Sequence, residues 1–171
     1  SVDADFLIGF DTDDVISGGA GDDTLSDQAG NNTFNGGLGA DAMQGGNGND
    51  TYLFNAGDGT DNIQDSGGID TIQFGLGVTE NNLLVRRNQF GFSLDFILNT
   101  GEMISVSTMF ENATGQLISH RAIEQITFSN GAVWDLARIY QEAVKGTNKN
   151  DIISGFAIND AMSGGEGQDL L

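Results

Sequence analysis

The 171-residue sequence has no cysteine, no proline, one histidine (His120) and six Lys or Arg against 25 Asp or Glu, for a formal net charge of −19. Without cysteine no disulfide can staple the fold, so if the core is thin a bound metal has to hold it together. With His120 alone, no His-Glu-x-x-His zinc site and no imidazole cluster can be built. No Gly-x-Ser-x-Gly nucleophile turn is present, and His120 reads as a surface or packing residue. There is no signal peptide, no run of 18 apolar residues and no amphipathic basic helix, so this segment carries nothing that inserts into a membrane. A surface of this sign also argues against nucleic acid as a partner.

The scarcity of positive charge is uneven. Residues 1–73 contain fourteen aspartates, no glutamate and no Lys or Arg. Such a segment repels itself and, without counter-ions, should be largely disordered. Charge alone would suit a solvated acidic linker, but a linker has no reason to place apolar residues at a fixed period.

Here the period is nine. In residues 18–26, Gly-Gly-Ala-Gly-Asp-Asp-Thr-Leu-Ser, the pattern is Gly-Gly-x-Gly-x-Asp-x-U-x with U apolar. The U positions run Leu7, Ile16, Leu25, Phe34, Met43 and Tyr52, and the sixth positions Asp5, Asp14, Asp23, Asn32, Asp41 and Asp50. Glycines (Gly18, Gly19 and Gly21; Gly36, Gly37 and Gly39; Gly45, Gly46 and Gly48) let six residues form a turn. The last three residues form a short strand with U pointing inward. Two nonapeptides complete one coil, so turns eighteen residues apart stack on the same edge at the spacing of a sheet, about 4.8 Å. Asp23 then lies between Asp5 and Asp41, and Asn32 between Asp14 and Asp50. Carboxylates brought so close repel unless a cation lies between them. Oxygen-only ligands suit calcium, while magnesium demands a tighter octahedron and keeps its waters.

On these residues the chain resembles the RTX, or haemolysin-type, calcium-binding repeat proteins. The resemblance implies an all-β fold, a parallel β-roll (β-solenoid), several bound Ca2+ ions, and secretion from a bacterium by a type I route. Residues 27–35 keep Phe34 but lack the double glycine, and Asn32 offers a neutral oxygen, so sites using that turn should be weaker or empty. After Tyr52 the register shifts by two residues, and Asp61 with Ile63 and Asp70 with Ile72 resume it, with at least one irregular site expected.

From about Phe74 the glycine-aspartate period stops. Asn82–Arg87, Phe92–Leu98, Met103–Ser107 and Ile123–Phe128 read as strands, with turns at Asn99-Thr100-Gly101-Glu102 and at Asn130-Gly131. Asp135 should cap a short helix whose Leu136, Ile139, Tyr140, Ala143 and Val144 share one face, with Gly146 able to end it. Phe90, Phe92, Phe96, Phe110 and Trp134 read as core, and Arg86-Arg87 as a strand's solvated edge. Gly57-Asp58-Gly59-Thr60-Asp61, Asp70 to Gly75, Gly77-Val78-Thr79 and Phe128 to Asp135 resemble the haemolysin-type calcium-binding-related region, which implies a β-rich segment that prolongs or interrupts the roll and implies no chemistry. The period returns at Gly146, with Asp151, Asp160 and Asp169 as sixth positions and Ile153, Met162 and Leu171 as U.

The expected division is therefore 1–73 as a roll, 74–145 as a β-rich segment ending in the helix, and 146–171 as the start of a second roll, in a chain that reads as an excerpt. The expected function is a non-enzymatic, calcium-dependent folding and spacer module of a secreted protein, whose partners are calcium ions and neighbouring repeats. Two other readings stand beside it. One is the non-catalytic tail of a secreted protease, lipase or alginate-modifying enzyme. The other is an adhesin segment, with 74–145 facing a glycan or host-surface ligand, which an exposed aromatic cluster there would favour.

Overall fold

The structure, a computed structural model, describes residues 2–88, 92–107, 121–156 and 160–171. Short strands alternate with turns, and two of the strands, over 15–20 and 33–38, run on into the turn glycines. The first strands are β1 (Phe6–Ile8), β2 (Val15–Ala20), β3 (Thr24–Ser26), β4 (Thr33–Leu38), β5 (Ala42–Gln44), β6 (Thr51–Phe54), β7 (Thr60–Gln64) and β8 (Thr71–Phe74). Then come β9 (Leu83–Arg87), β10 (Leu94–Leu98), β11 (Met103–Val106), β12 (Gln125–Phe128), β13 (Val133–Asp135) and the helix α1 (Leu136–Ala143).

From β1 to β8 successive strands go to opposite sheets. One sheet has the order β1-β3-β5-β7-β11-β10-β9 and the other β13-β12-β8-β6-β4-β2. Within the repeats every pairing is parallel, and the U residues stack in two columns: Leu7, Leu25, Met43 and Ile63 in one, Ile16, Phe34, Tyr52 and Ile72 in the other. The chain is a parallel β-solenoid whose core lies between the sheets. The two-residue shift after Tyr52 is absorbed in the turn, because Met43 still pairs with Ile63, twenty residues on.

Both sheets continue past Gln73. β11 adds in parallel to β7 with Val106 on Ile63, and β12 adds in parallel to β8 with Ile126 on Ile72. Two antiparallel additions follow: β10 and β9 extend the first sheet, and β13 folds back on β12 through the Asn130-Gly131 turn. The core thickens here. Phe54, Phe74, Phe128 and Trp134 form a file with centroid spacings of 6.0, 5.5 and 5.1 Å.

Asp135 caps α1 by accepting the Arg138 N–H at 2.8 Å, which satisfies one of the helix's unpaired amides. The helix buries Ile139 and Ala143. It ends at Ala143 with Val144 as the capping residue, earlier than Gly146 would place it; the Gly146 N–H instead bonds to Ser163 O as the second array begins.

Two further expectations need correction. Phe92 is 46% exposed, because it precedes β10, while Phe96 and Trp134 are buried as core. Arg86 and Arg87 do not form a solvated edge. The Arg86 guanidinium bonds to Lys145 O at 2.5 Å and to Asp151 Oδ1 at 3.3 Å, and Arg87, only 7% exposed, bonds to Gly155 O and lies over the Phe156 ring. Both arginines hold the start of the second array against β9. His120, Phe90 and Phe110 lie outside the described residues.

Candidate metal centre

Each strand pair exposes backbone amides at the turn that precedes it, and the sixth-position side chain satisfies one of them on the neighbouring coil. The Asp5 N–H donates to Asp23 Oδ1 at 2.7 Å, the Asp23 N–H to Asp41 Oδ1 at 2.8 Å and the Asp41 N–H to Asp61 Oδ1 at 2.9 Å. On the opposite edge the Asp14 N–H donates to Asn32 Oδ1 at 2.9 Å, Asn32 to Asp50 at 2.7 Å and Asp50 to Asp70 at 2.8 Å. The eighteen-residue pairing expected from the period is present on both edges.

Only one oxygen of each carboxylate is used in this way. Oδ2 of Asp23, Asp41, Asp50 and Asp70 is buried and has no hydrogen-bond partner. A buried, unpartnered carboxylate oxygen is costly unless a proton or a cation meets it. The repeat's first glycine makes room beside it. A Cβ on Gly18 would collide with Asp23 Oδ2, one on Gly36 with Asp41 Oδ2 and one on Gly164 with Asp169 Oδ2. Gly18, Gly36, Gly45 and Gly46 do not have positive φ, whereas Gly19, Gly21, Gly37, Gly39 and Gly48 do. Where position 1 is glycine it leaves space for the carboxylate, Gly46 leaves space for the Gln28 backbone, and the positive-φ glycines are needed for conformation.

Electrostatics point the same way. Burial pushes the Asp61 carboxyl up to about 7, against the backbone hydrogen bond from Asp41 and with help from the Asp41 and Asp58 charges. Burial pushes Asp50 up to about 6, with the Asp65 and Asp27 charges adding to it. Asp41 and Asp70 are raised for the same leading reason, Asp70 also by Asp65 and Glu124. These sites hold their charge poorly without a counter-ion. Oxygen-only donors, hard and partly buried, with spare lone pairs beside a turn, fit calcium.

Several acidic residues at these turns were not among the expected ligands, and three of them bear on the stacked sixth positions. Glu124 takes the sixth position of the coil that begins at β12, and its Oε2 accepts the Asp70 N–H at 2.8 Å. The signal was its place two residues before Ile126, hidden by the long interruption. Asp27 and Asp65 stand at position 1, where the pattern has glycine, and are 4% and 3% exposed. Asp27 brings a carboxylate to the turn whose sixth position is the neutral Asn32. The Asn32 amide turns inward there, its Nδ2 donating to Ala29 O and Gly30 O at 3.4 and 3.3 Å.

The second array is built differently. The Asp151 N–H donates to Asp169 Oδ1 at 2.9 Å, so the eighteen-residue pairing holds. Asp151 itself is engaged by Arg86, by the Thr147 N–H at 2.6 Å and by the Thr147 hydroxyl at 2.9 Å; these partners hold its carboxyl below the usual range, the Thr147 N–H most of all. A guanidinium occupies one oxygen that an ion would otherwise meet. Asp160 Oδ2 accepts the Phe156 N–H at 2.6 Å.

A parallel solenoid with stacked, half-satisfied aspartates along its turns defines a calcium-binding repeat protein. Residues 2–25, 18–52 and 142–171 match the RTX calcium-binding nonapeptide repeat, and residues 96–138 match the haemolysin-type calcium binding protein related domain. The chain thus carries RTX haemolysin-type repeats in two stretches, with the related domain between them, and such repeats bind Ca2+. No curated protein matches the chain significantly. The β-roll of these repeats is a structural calcium-binding fold, and proteins that carry it are typically secreted. No helix among the described residues is long and apolar enough to cross a membrane.

Proposed function

We propose that the chain is a calcium-triggered folding module and spacer of a secreted bacterial RTX-type protein, exported unfolded by a type I route. The observation that supports this most is the file of buried carboxylate oxygens without partners in a segment that has no Lys or Arg. Where free calcium is scarce these charges oppose the stacked coils and keep the segment open. Outside the cell, calcium at millimolar level fills turn sites of about 10⁻⁴–10⁻³ M affinity, the range of extracellular modules. Ion binding and folding are then one event. The proposed ligands are the sixth-position side chains of the first roll with the turn backbone around them, and Asp151, Asp160 and Asp169 in the second array.

The tail of a secreted enzyme remains compatible with this role, since the module itself has no catalytic duty in either case. Among the described residues a ligand-binding face in 74–145 gains little support, because Phe96, Phe128 and Trp134 are buried and, of the phenylalanines there and Trp134, Phe92 alone is exposed. Limited proteolysis tests the proposal. Cleavage within residues 1–73 should be rapid in chelator and suppressed in several millimolar calcium. Equal protection in both conditions would overturn it.

A further inference from the structure

Position 1 on one turn edge reads Gly9, Asp27, Gly45, Asp65, so every second coil replaces the glycine with an aspartate. Each aspartate leans over the glycine of the coil before it. A Cβ on Gly9 would collide with Asp27 Oδ2, and one on Gly45 would meet Asp65 Oδ2, Asp50 Oδ2 and the Tyr52 hydroxyl. The alternation is what lets the carboxylates enter.

The arrangement is most complete at Gly45. Asp50, Asp65 and Asp70 are 1%, 3% and 1% exposed, and each brings an oxygen within 4.8 Å of the other two. Asp65 is fixed in place, its Oδ1 accepting the Gly67 N–H at 2.8 Å and its Oδ2 accepting the Tyr52 hydroxyl at 2.5 Å. Oδ2 of Asp50 and of Asp70 accepts nothing. No Lys or Arg stands anywhere in residues 1–73 to balance the three carboxylates. A polar cleft of about 360 Å³, lined by Asp27, Gly45, Gly46 and Ser66 among others, opens on this edge.

We propose that Asp65 completes a three-carboxylate calcium site with Asp50 and Asp70, more highly charged than a regular turn site and filled before the others. It rests on the reading of the repeats as calcium sites, and adds to the repeat pattern a ligand from a position that the pattern reserves for glycine. Tyr52 is the positioning residue that aims Asp65 at the ion. Charge count is the main lever on calcium affinity in oxygen sites, so this site should bind first as calcium rises.

The test is calorimetric titration of the whole chain with calcium, comparing the wild type with Asp65→Gly and Asp65→Asn. Asp65→Gly restores the residue that the repeat itself uses at position 1, so the turn keeps a conformation it tolerates. Asp65→Asn keeps an oxygen for the Gly67 N–H and sets its amide NH2 against the Tyr52 hydroxyl, which can turn to accept, but removes the charge. In both variants the tightest binding step should weaken by about tenfold or more, while the remaining steps and the calcium-induced gain of β structure persist. If Asp65→Asn binds its first ion as tightly as the wild type, Asp65 serves only to hold Tyr52 and the proposal is overturned. Should the wild type take up no calcium at several millimolar, the reading of the repeats fails as well, an outcome distinct from loss of the first step alone.

Discussion

The backbone N–H of Asp23 donates to Asp41 Oδ1 at 2.8 Å, while Asp23 Oδ1 accepts the N–H of Asp5 at 2.7 Å. One residue thus ties three coils together along one edge and still holds its second oxygen buried without a partner. Asp23→Ala should therefore harm two ion sites at once and orphan the Asp5 amide, a loss of about 1–3 kcal/mol in the folded state. A calcium titration should show a higher midpoint and lower cooperativity for Asp23→Ala than for Asn32→Ala. Asn32→Asp should shift the midpoint the other way, since it adds a carboxylate between Asp14 and Asp50 and removes the amide that now caps Ala29 O and Gly30 O. A larger loss from Asn32→Ala than from Asp23→Ala would contradict the stacked-site account.

Without metal, acid should stand in for calcium. Asp61 is raised to about 7 and Asp50 to about 6, both chiefly by burial, from an ordinary value of 3.8. For a carboxyl whose folded value is raised, both states are protonated below about pH 4 and no stability is lost there. As pH rises from about 4 to 7 the unfolded chain ionises first, so the metal-free roll loses stability across that window. Circular dichroism in chelator should show more β structure at pH 4 than at pH 8. Calcium affinity should move oppositely, falling as protons compete below about pH 7. A metal-free spectrum that does not change with pH would count against buried, unbalanced carboxylates.

Arg86 gives the second array a permanent cation. Replacing it as Arg86→Met keeps much of the apolar stem but frees Asp151 Oδ1 and Lys145 O. Amides near Ile153 should lose protection by about 1–3 kcal/mol, with those near Leu25 unchanged. Hydrogen exchange in saturating calcium reads both, and equal loss at the two places would mean that the two arrays fold as one unit.

The nine-residue period made the first roll legible almost residue by residue, because a fixed turn with one inward side chain leaves no freedom in register. Leu25, Phe34 and Met43 were placed by period alone and are fully enclosed. The interrupted part was less legible. Glu124 and Val106 return to the columns above Asp70 and Ile63, but nothing periodic connects them to those partners in sequence. The roles of Asp27 and Asp65 were hidden for another reason: a missing glycine reads as a defect in a turn, and only the stack shows that the added carboxylate enters the space left by the glycine of the coil before. Arg86 and Arg87 were misplaced because their partners, Asp151 and Gly155, are supplied by an array that lies some sixty residues further on.

The aromatic file and the antiparallel strands bury apolar side chains in the later part, and this packing should hold without metal. In chelator, amides near Leu94 in β10 and Ile126 in β12 should exchange more slowly than those near Leu25. Exchange as fast as at Leu25 would mean that these strands fold only on a calcium-loaded roll, on which β12 rests directly through the Ile126–Ile72 pairing and β10 only through β11.

The central claim is that cations, and not side-chain packing alone, hold the first roll together. A far-ultraviolet circular dichroism titration of the whole chain, from excess chelator to several millimolar calcium at pH 7.5 or so, addresses it most directly. The account predicts a largely disordered contribution from residues 1–73 in chelator and a cooperative gain of β structure as calcium is added. A spectrum already β-rich in chelator, and unchanged by calcium, would contradict it.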